Sequence, residues 1–318
     1  MAVVALVLFA VSTLLTRVAS DRVDSGLGFL VATTTNVIFC GAATIAYAFI
    51  RDDPMTFNLP AFGYFVVAGF FATYLGRYFF FESVVRMGAA RASTFGTTSP
   101  VFAALFGWMF LGDVLSGGSL VAMALVLVGL ALVANRGKAK PLAVAGASAA
   151  ATAGAAAKST DTPSGGRPAD TWRTLMIIGL GSSAAYAVGN VLRGYGIRSW
   201  NEPLLGALIG AGTGLLIQLV FGARRAELTR RFKAADPVGV WLFVGVGVFN
   251  ISAQVFAIAS IRYMPVAESV LIASATPLLV YPASFFLLKN SESITWTSVF
   301  GLFLSLLGVG YLVGRPLM

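Results

Sequence analysis

Apolar residues fill this chain in runs of about 20, each bounded by charge or by Pro and Gly, from one end to the other. A helix of ~20 residues spans the hydrocarbon thickness of a bilayer. The runs predict ten transmembrane helices, at 2–19, 27–50, 61–85, 89–111, 117–134, 172–197, 203–221, 238–261, 265–288 and 295–313. The first run lies where a signal peptide would. No basic segment precedes it, however, and the sixth run is its counterpart, so it is read as a helix.

The pattern is written twice. RASTFGTTSPVFAALFGWMFLGD around Pro100 returns about 177 residues later as ESVLIASATPLLVYPASFFLLKN around Pro277. The flanks keep nearly the same shift: Arg17 and Arg22 fall on Arg193 and Arg198, Asp113 on Glu292, and Gly129 on Gly308. Five spans per copy is an odd number, so the second copy enters the membrane upside down. The expected fold is therefore an all-α membrane protein of ten transmembrane helices, arranged as two inverted five-helix repeats over 1–135 and 171–318. Residues 136–170 between them are rich in Ala, Gly, Ser and Thr and read as a flexible linker.

Composition narrows the function. The chain of 318 residues is 58% hydrophobic and 11% charged, far from a soluble domain. It has no histidine and one cysteine, Cys40, which removes His-based acid–base chemistry, Cys/His metal sites and a disulfide framework. Cys40 reads as a small packing residue. No cofactor is expected. The net charge of +9 sits between apolar runs, where membrane topology accounts for it better than nucleic acid does. The segment 223–236, ARRAELTRRFKAAD, reads equally as a basic helix on anionic headgroups or as a solvated loop. The positive-inside rule puts it and the linker in the cytoplasm and turns both termini outward. In that count Arg51, Arg193, Arg198, Arg262 and Arg315 lie on the outer side.

A transport site needs polar groups at mid-membrane. Arg77 lies well inside the third span, with Thr73 four residues earlier on the same helical face. The second copy has Asn250 and Gln254 at the matching positions. Either this set lines a pathway, or Arg77 snorkels to the interface or pairs with Glu82. Lining a pathway, Arg77 favours a carboxylate or phosphate, which its planar fork can grip in a bidentate way. Tyr74 and Tyr78 flank it and either stack on an organic solute or face lipid. Pro100 and Pro277 are expected to kink the fourth and ninth spans. The nearby hydroxyls, Ser93, Thr94, Thr97, Thr98, Ser99, Ser274 and Thr276, either meet solute or repair the kink. Thr97 and Ser274 coincide under the repeat. Tyr186 and Asn190 in the sixth span, and Asn36 in the second, face the bundle and touch either solute or a neighbouring helix. Gly206, Gly210 and Gly214 read as close helix packing. Glu82 and Glu268 lie near helix ends, so no buried carboxylate stands out as a proton carrier. That favours a facilitator or exchanger over a proton-driven pump.

Each copy thus has a small-residue helix with a central proline (SPVFAALFGWMFLGD; TPLLVYPASFFLLKNSE) and closes with a Gly-containing span (LVLVGLALV; SLLGVGYLV). In order and duplication the chain resembles the drug/metabolite transporter superfamily, EamA type, over nearly its whole length outside the linker. Asp113 and Glu292 match the acidic position that ends the family's fourth and ninth helices. The resemblance implies a ten-helix inner-membrane permease with a central cavity, moving amino acids or other small metabolites, often outward. Its partners would be a small-molecule solute and the bilayer, and it would be no enzyme. Arg77 departs from the usual neutral residue, and the family's cytoplasmic termini oppose the charge bias. The other reading is a non-transporting membrane subunit, such as a lipid-carrier flippase partner, whose cavity would be sealed by apolar side chains.

Overall fold

The computed structural model describes residues 1–23, 25–51, 56–87, 92, 95–134, 172–221, 232, 235–288 and 296–314; among them there is no strand. The linker 136–170, most of 223–236, Ser93, Thr94 and Glu292 lie outside the described residues. The first half contains α1 (Ala2–Ser20), α2 (Ser25–Ile50), α3 (Leu59–Gly69), a π-helical turn (Phe70–Leu75), α4 (Gly76–Met87), α5 (Ser99–Phe106), a second π turn (Gly107–Leu111) and α6 (Gly117–Ala134). The second half contains α7 (Trp172–Ser199), α8 (Pro203–Phe221), α9 (Pro237–Ile261), α10 (Val266–Ser274), α11 (Pro277–Leu288) and α12 (Trp296–Gly314). Among the described residues, seven helical stretches are long and apolar enough to cross a membrane: Ala2–Ser20, Gly26–Ile50, Leu59–Phe80, Arg173–Ser199, Pro203–Val220, Pro237–Ile261 and Val266–Ala283. Three apolar helices, Ser99–Leu111, Gly117–Val133 and Val299–Gly314, are shorter. Large apolar side chains such as Phe49, Leu216 and Val220 are exposed on the outside of the bundle, as lipid requires.

Helix starts follow from local chemistry. Asn58 caps α3 by accepting from the Ala61 amide, and Asp236 caps α9 by accepting from the Val238 amide at 3.1 Å. Each helix then opens with a proline, Pro60 or Pro237, whose missing N–H removes no helical bond. Hydroxyls inside the helices turn back on their own backbone, as Thr33 does to the Phe29 carbonyl at 2.9 Å and Thr44 to the Cys40 carbonyl at 2.7 Å.

Lipid gives helices no hydrophobic reason to associate, so close packing at small residues has to do it. A Cβ placed on Gly69 would meet the Gly210 carbonyl at 2.7 Å and the Thr213 side chain at 3.0 Å. A Cβ on Gly247 would meet the Ala32 carbonyl and the Thr35 side chain, both at 2.7 Å. The two contacts are the same contact in the two halves. The wider pattern repeats it: α7 lies along α3 and α4 while α1 lies along α9, and α8 packs on α3 while α2 packs on α9. α6 packs against its own counterpart α12, where a Cβ on Gly301 would meet the Gly129 carbonyl at 2.6 Å.

The two prolines do not kink continuous helices as expected; they open new ones. The chain turns at Thr97–Thr98 and at Ala275–Thr276, and α5 and α11 start just beyond, with Pro100 and Pro277 in their first turns. A proline there leaves no helical carbonyl unpaired. In both breaks a hydroxyl satisfies the carbonyl three residues back: Thr98 donates to Phe95 and Thr276 to Ala273, each at 2.7 Å. Pro282, inside α11, has no counterpart in α5.

Candidate functional site

Five helices meet around one cavity of about 50 Å³, room for a few water molecules. α2 contributes Phe29, Thr33 and Asn36, spaced four and three apart on one face. The third span contributes Ala72, Thr73 and Arg77, and α9 contributes Phe243, Val246, Asn250 and Gln254. Tyr186 and Arg193 come from α7 and Ala211 from α8. Thr73, Arg77, Asn250 and Gln254, paired through the repeat in the sequence, therefore face one space from two helices. Tyr186 and Asn36 join them.

How Arg77 reaches the cavity depends on the π turn. A π turn holds one residue more than an α turn and commonly arises at functional sites. The capping residues Asn58 and Asp236 are 178 positions apart (236 − 58), as are Gly69 and Gly247 (247 − 69). From within the turn onward the offset drops by one: Thr73, inside the turn, and Asn250 are 177 apart (250 − 73), and so are Arg77 and Gln254 (254 − 77). The first copy carries one extra residue within Phe70–Leu75, and the π turn absorbs it. Upstream packing and downstream cavity residues both stay in register with the second copy.

The polar atoms of the site are held to different degrees. The Arg77 guanidinium lies over the Phe29 ring, a cation–π arrangement. Glu82, the alternative partner, instead pairs with Arg86 at 2.7 Å, one helical turn away. With its amide nitrogen as donor, Asn36 reaches the Gly247 carbonyl at 2.7 Å and the Ala32 carbonyl at 3.1 Å, which fixes α2 to α9. Asn250 lines the cavity and is 7% exposed; its side-chain oxygen is buried and has no hydrogen-bond partner among the described residues. A buried acceptor left unmatched costs ~1–3 kcal/mol.

Arg193 corrects the sequence reading, which counted it among the charges outside the membrane. It is 5% exposed and lines the cavity. One terminal nitrogen donates to Asn190 Oδ1 at 3.3 Å and the other to Gln254 Oε1 at 3.2 Å. It also borders a second cavity, of about 20 Å³, together with Asn190 and Ser269. The signal was present in the sequence: Tyr186, Asn190 and Arg193 stand four and three apart, a polar stripe along one face of α7.

The remaining candidates lie elsewhere. Tyr78 is 54% exposed beside Phe79, and Tyr74 packs against Phe70 with ring centres 5.9 Å apart; neither lines the cavity. Thr97 is buried in the turn before α5, and the Ser274 hydroxyl donates to the Val270 carbonyl at 2.8 Å. Neither of these lines the cavity. Gly206, Gly210 and Gly214 bring α8 against the third span: a Cβ on Gly206 would meet the Phe65 ring, and one on Gly214 would meet Thr73.

Beyond the cavity, ion pairs tie helix ends together. Asp113 follows Gly112, whose left-handed backbone (φ 69°) ends the second π turn. Its carboxylate accepts from Arg198 at 2.5 Å and from the Val266 amide at 2.8 Å, so it joins α7 to the N-terminus of α10. Arg51 pairs with the buried Glu202 just ahead of α8, and Arg22 pairs with Asp236 ahead of α9 at 3.1 Å.

The model of the EamA-like transporter family matches residues 1–135 and 173–314. No curated protein matches the chain. One solved crystal structure, 15% identical, superposes with a TM-score of 0.60 over 97% of this chain and 98% of its own, a likeness of fold alone.

Proposed function

Because the chain belongs to the EamA-like transporter family, we propose that the cavity between the third and eighth spans is the solute site of an alternating-access transporter for a small organic metabolite bearing an anionic group. The coarser reading, an integral membrane protein of a small-molecule transporter family rather than an enzyme, follows from the family and the apolar helices. One observation carries the finer one: Arg77 and Asn250 line a single cavity, one from each half. A guanidinium in hydrocarbon costs ~2.5–3.5 kcal/mol on insertion scales, a cost that needs a functional return.

The cavity is smaller than most ligand pockets, which run to ~300–1,000 Å³, so binding would widen it by helix movement. The helix breaks before Pro100 and Pro277 offer places for that movement. Among the described residues its lining holds no Asp or Glu, which supports exchange or facilitated movement over proton coupling. The same polar lining argues against a sealed, non-transporting subunit. On this reading ten spans form two inverted repeats in a bacterial inner membrane, and the chain exports or exchanges its solute.

The test compares metabolites inside and outside cells that carry or lack the gene, then repeats the comparison with Arg77→Ala. At least one anionic metabolite should change its distribution with the wild-type gene and revert in the variant. Equal metabolite profiles with and without the gene would sink the reading.

A further inference from the structure

We propose that Arg193 is a second anion-binding arm of this cavity, and that Arg77 and Arg193 together select solutes carrying two negatively charged groups over solutes carrying one. The inference deepens the proposed solute site and rests on it.

Three observations carry it. First, two guanidinium groups from different helices line the same cavity, and among the described residues its lining holds no carboxylate. A solute with two anionic groups brings a counter-charge to each of them in a low-dielectric space, whereas a solute with one can face only one. Second, among the described residues Arg193 donates to neutral amides, Asn190 and Gln254, at 3.3 and 3.2 Å. A guanidinium has five N–H donors, so its charge and several donors stay available to a carboxylate or phosphate. Gln254 is itself on the cavity wall, and a solute carboxylate can take its place on Arg193. Third, Asn250 lines the same space from α9. Its amide can pair with a hydroxyl or amino group on the solute. The class that fits all three is a small dicarboxylate or phosphorylated acid with a donor group between or beside its anionic ends.

Arg193 also borders the second, smaller cavity. It is the side chain common to both spaces, so an anion bound to it can pass between them without losing its counter-charge.

The test uses the purified full-length protein in detergent and reads thermal stabilisation by matched pairs: succinate against butyrate, and phosphoglycolate against glycolate. Wild type should respond to the dianion at a concentration at least about tenfold lower than to its monoanionic partner. Arg193→Gln should erase that difference by weakening the response to the solute with two anionic groups, and Arg193→Lys should keep part of it. The melting temperature without solute reports whether each variant folds; if Arg193→Gln does not, wild type and Arg193→Lys decide. Equal response of wild type to both members of each pair overturns the proposal. So does a butyrate response with a Hill slope near two that matches succinate, which would mean two separate monoanions. So does equal stabilisation by sodium chloride at matched ionic strength. A gene-dependent metabolite that proves neutral or singly charged overturns this inference and leaves transport standing, whereas absence of any gene-dependent metabolite removes transport itself.

Discussion

The eighth span runs as one α-helix from Pro237 to Ile261, whereas its counterpart in the first half is broken into α3, a π turn at Phe70–Leu75, and α4. Both are capped alike, by Asn58 and Asp236, and both press a glycine against a neighbouring carbonyl at 2.7 Å. They part company at the cavity. There the third span has an extra residue and a charge, Arg77, and the eighth has neither and presents Asn250 and Gln254. The repeat thus keeps the packing and lets the cavity-facing turn diverge. A π turn makes that divergence local, because it takes up one residue without disturbing the helix on either side.

The sharpest way to break this comparison is to delete Phe71 alone, and then Phe71 together with Ala72. The first deletion should restore α geometry and leave Arg77 as far beyond Gly69 as Gln254 is beyond Gly247, so transport survives. The second should swing Arg77 by about 100° around the helix axis, and transport should fall to background while the protein still inserts and elutes as a folded species. Loss of transport after the first deletion, or normal transport after the second, would mean that the π turn does not take up one residue in this way.

Next in size is the contrast between the charged and neutral arms. Hydrogen bonds to charged groups contribute ~1.5–3 kcal/mol against ~0.5–1.5 for neutral ones. Arg77→Ala should therefore lower solute affinity about 10- to 150-fold, and Gln254→Ala about 2- to 10-fold, in a direct binding titration. Equal losses would show that the asymmetry carries no recognition.

The packing side of the comparison predicts equality. Gly69→Val and Gly247→Val each force a side chain onto a carbonyl 2.7 Å away, on opposite halves. Overpacking of this kind costs ~1–3 kcal/mol, and the two variants should lower the unfolding temperature by similar amounts. A large effect in only one half would undo the claim that packing is the part the repeat keeps.

The smallest effect separates the two caps. The hydrogen bond from Arg22, with help from the Val238 amide, holds the Asp236 carboxyl below the usual carboxylate range. A folded-state pKa below the unfolded one adds stability that is present above the unfolded value and disappears as pH falls through the folded one. Wild type should lose slightly more stability in acid than Asp236→Asn, and Asn58→Asp should add a similar dependence to the other cap. Identical acid profiles for wild type and Asp236→Asn would remove the cap from the account.

The sequence makes the helix boundaries legible because lipid demands unbroken apolar runs: the expected 203–221 and 117–134 match α8 and α6 to the residue. It also pairs Thr73 and Arg77 with Asn250 and Gln254, since a repeat acts as its own alignment. The π turn is hidden, because FFATYL keeps the apolar pattern and a single offset of about 177 conceals a one-residue slip. Arg193 is hidden by its position four residues before Ile197, where counting charges near a span end treats any arginine as a flank. Only its spacing from Tyr186 and Asn190 marks it as inward. Tyr78 is misleading for the opposite reason: an aromatic ring suits lipid as well as a binding site, and its neighbour in sequence, Arg77, lends it a significance that its outward face removes. Pro100 and Pro277 announce a disturbance in the helix. Whether the chain kinks or breaks depends on the i−3 hydroxyl bonds of Thr98 and Thr276, which spacing alone does not reveal.

The central claim is that one cavity, built from both halves, binds the transported solute. Solute counterflow in proteoliposomes, measured for Arg77→Ala and Asn250→Ala side by side with wild type, tests it most directly. Exchange should collapse in both variants, one from each repeat, although both fold and insert. Wild-type exchange rates in both would contradict the account.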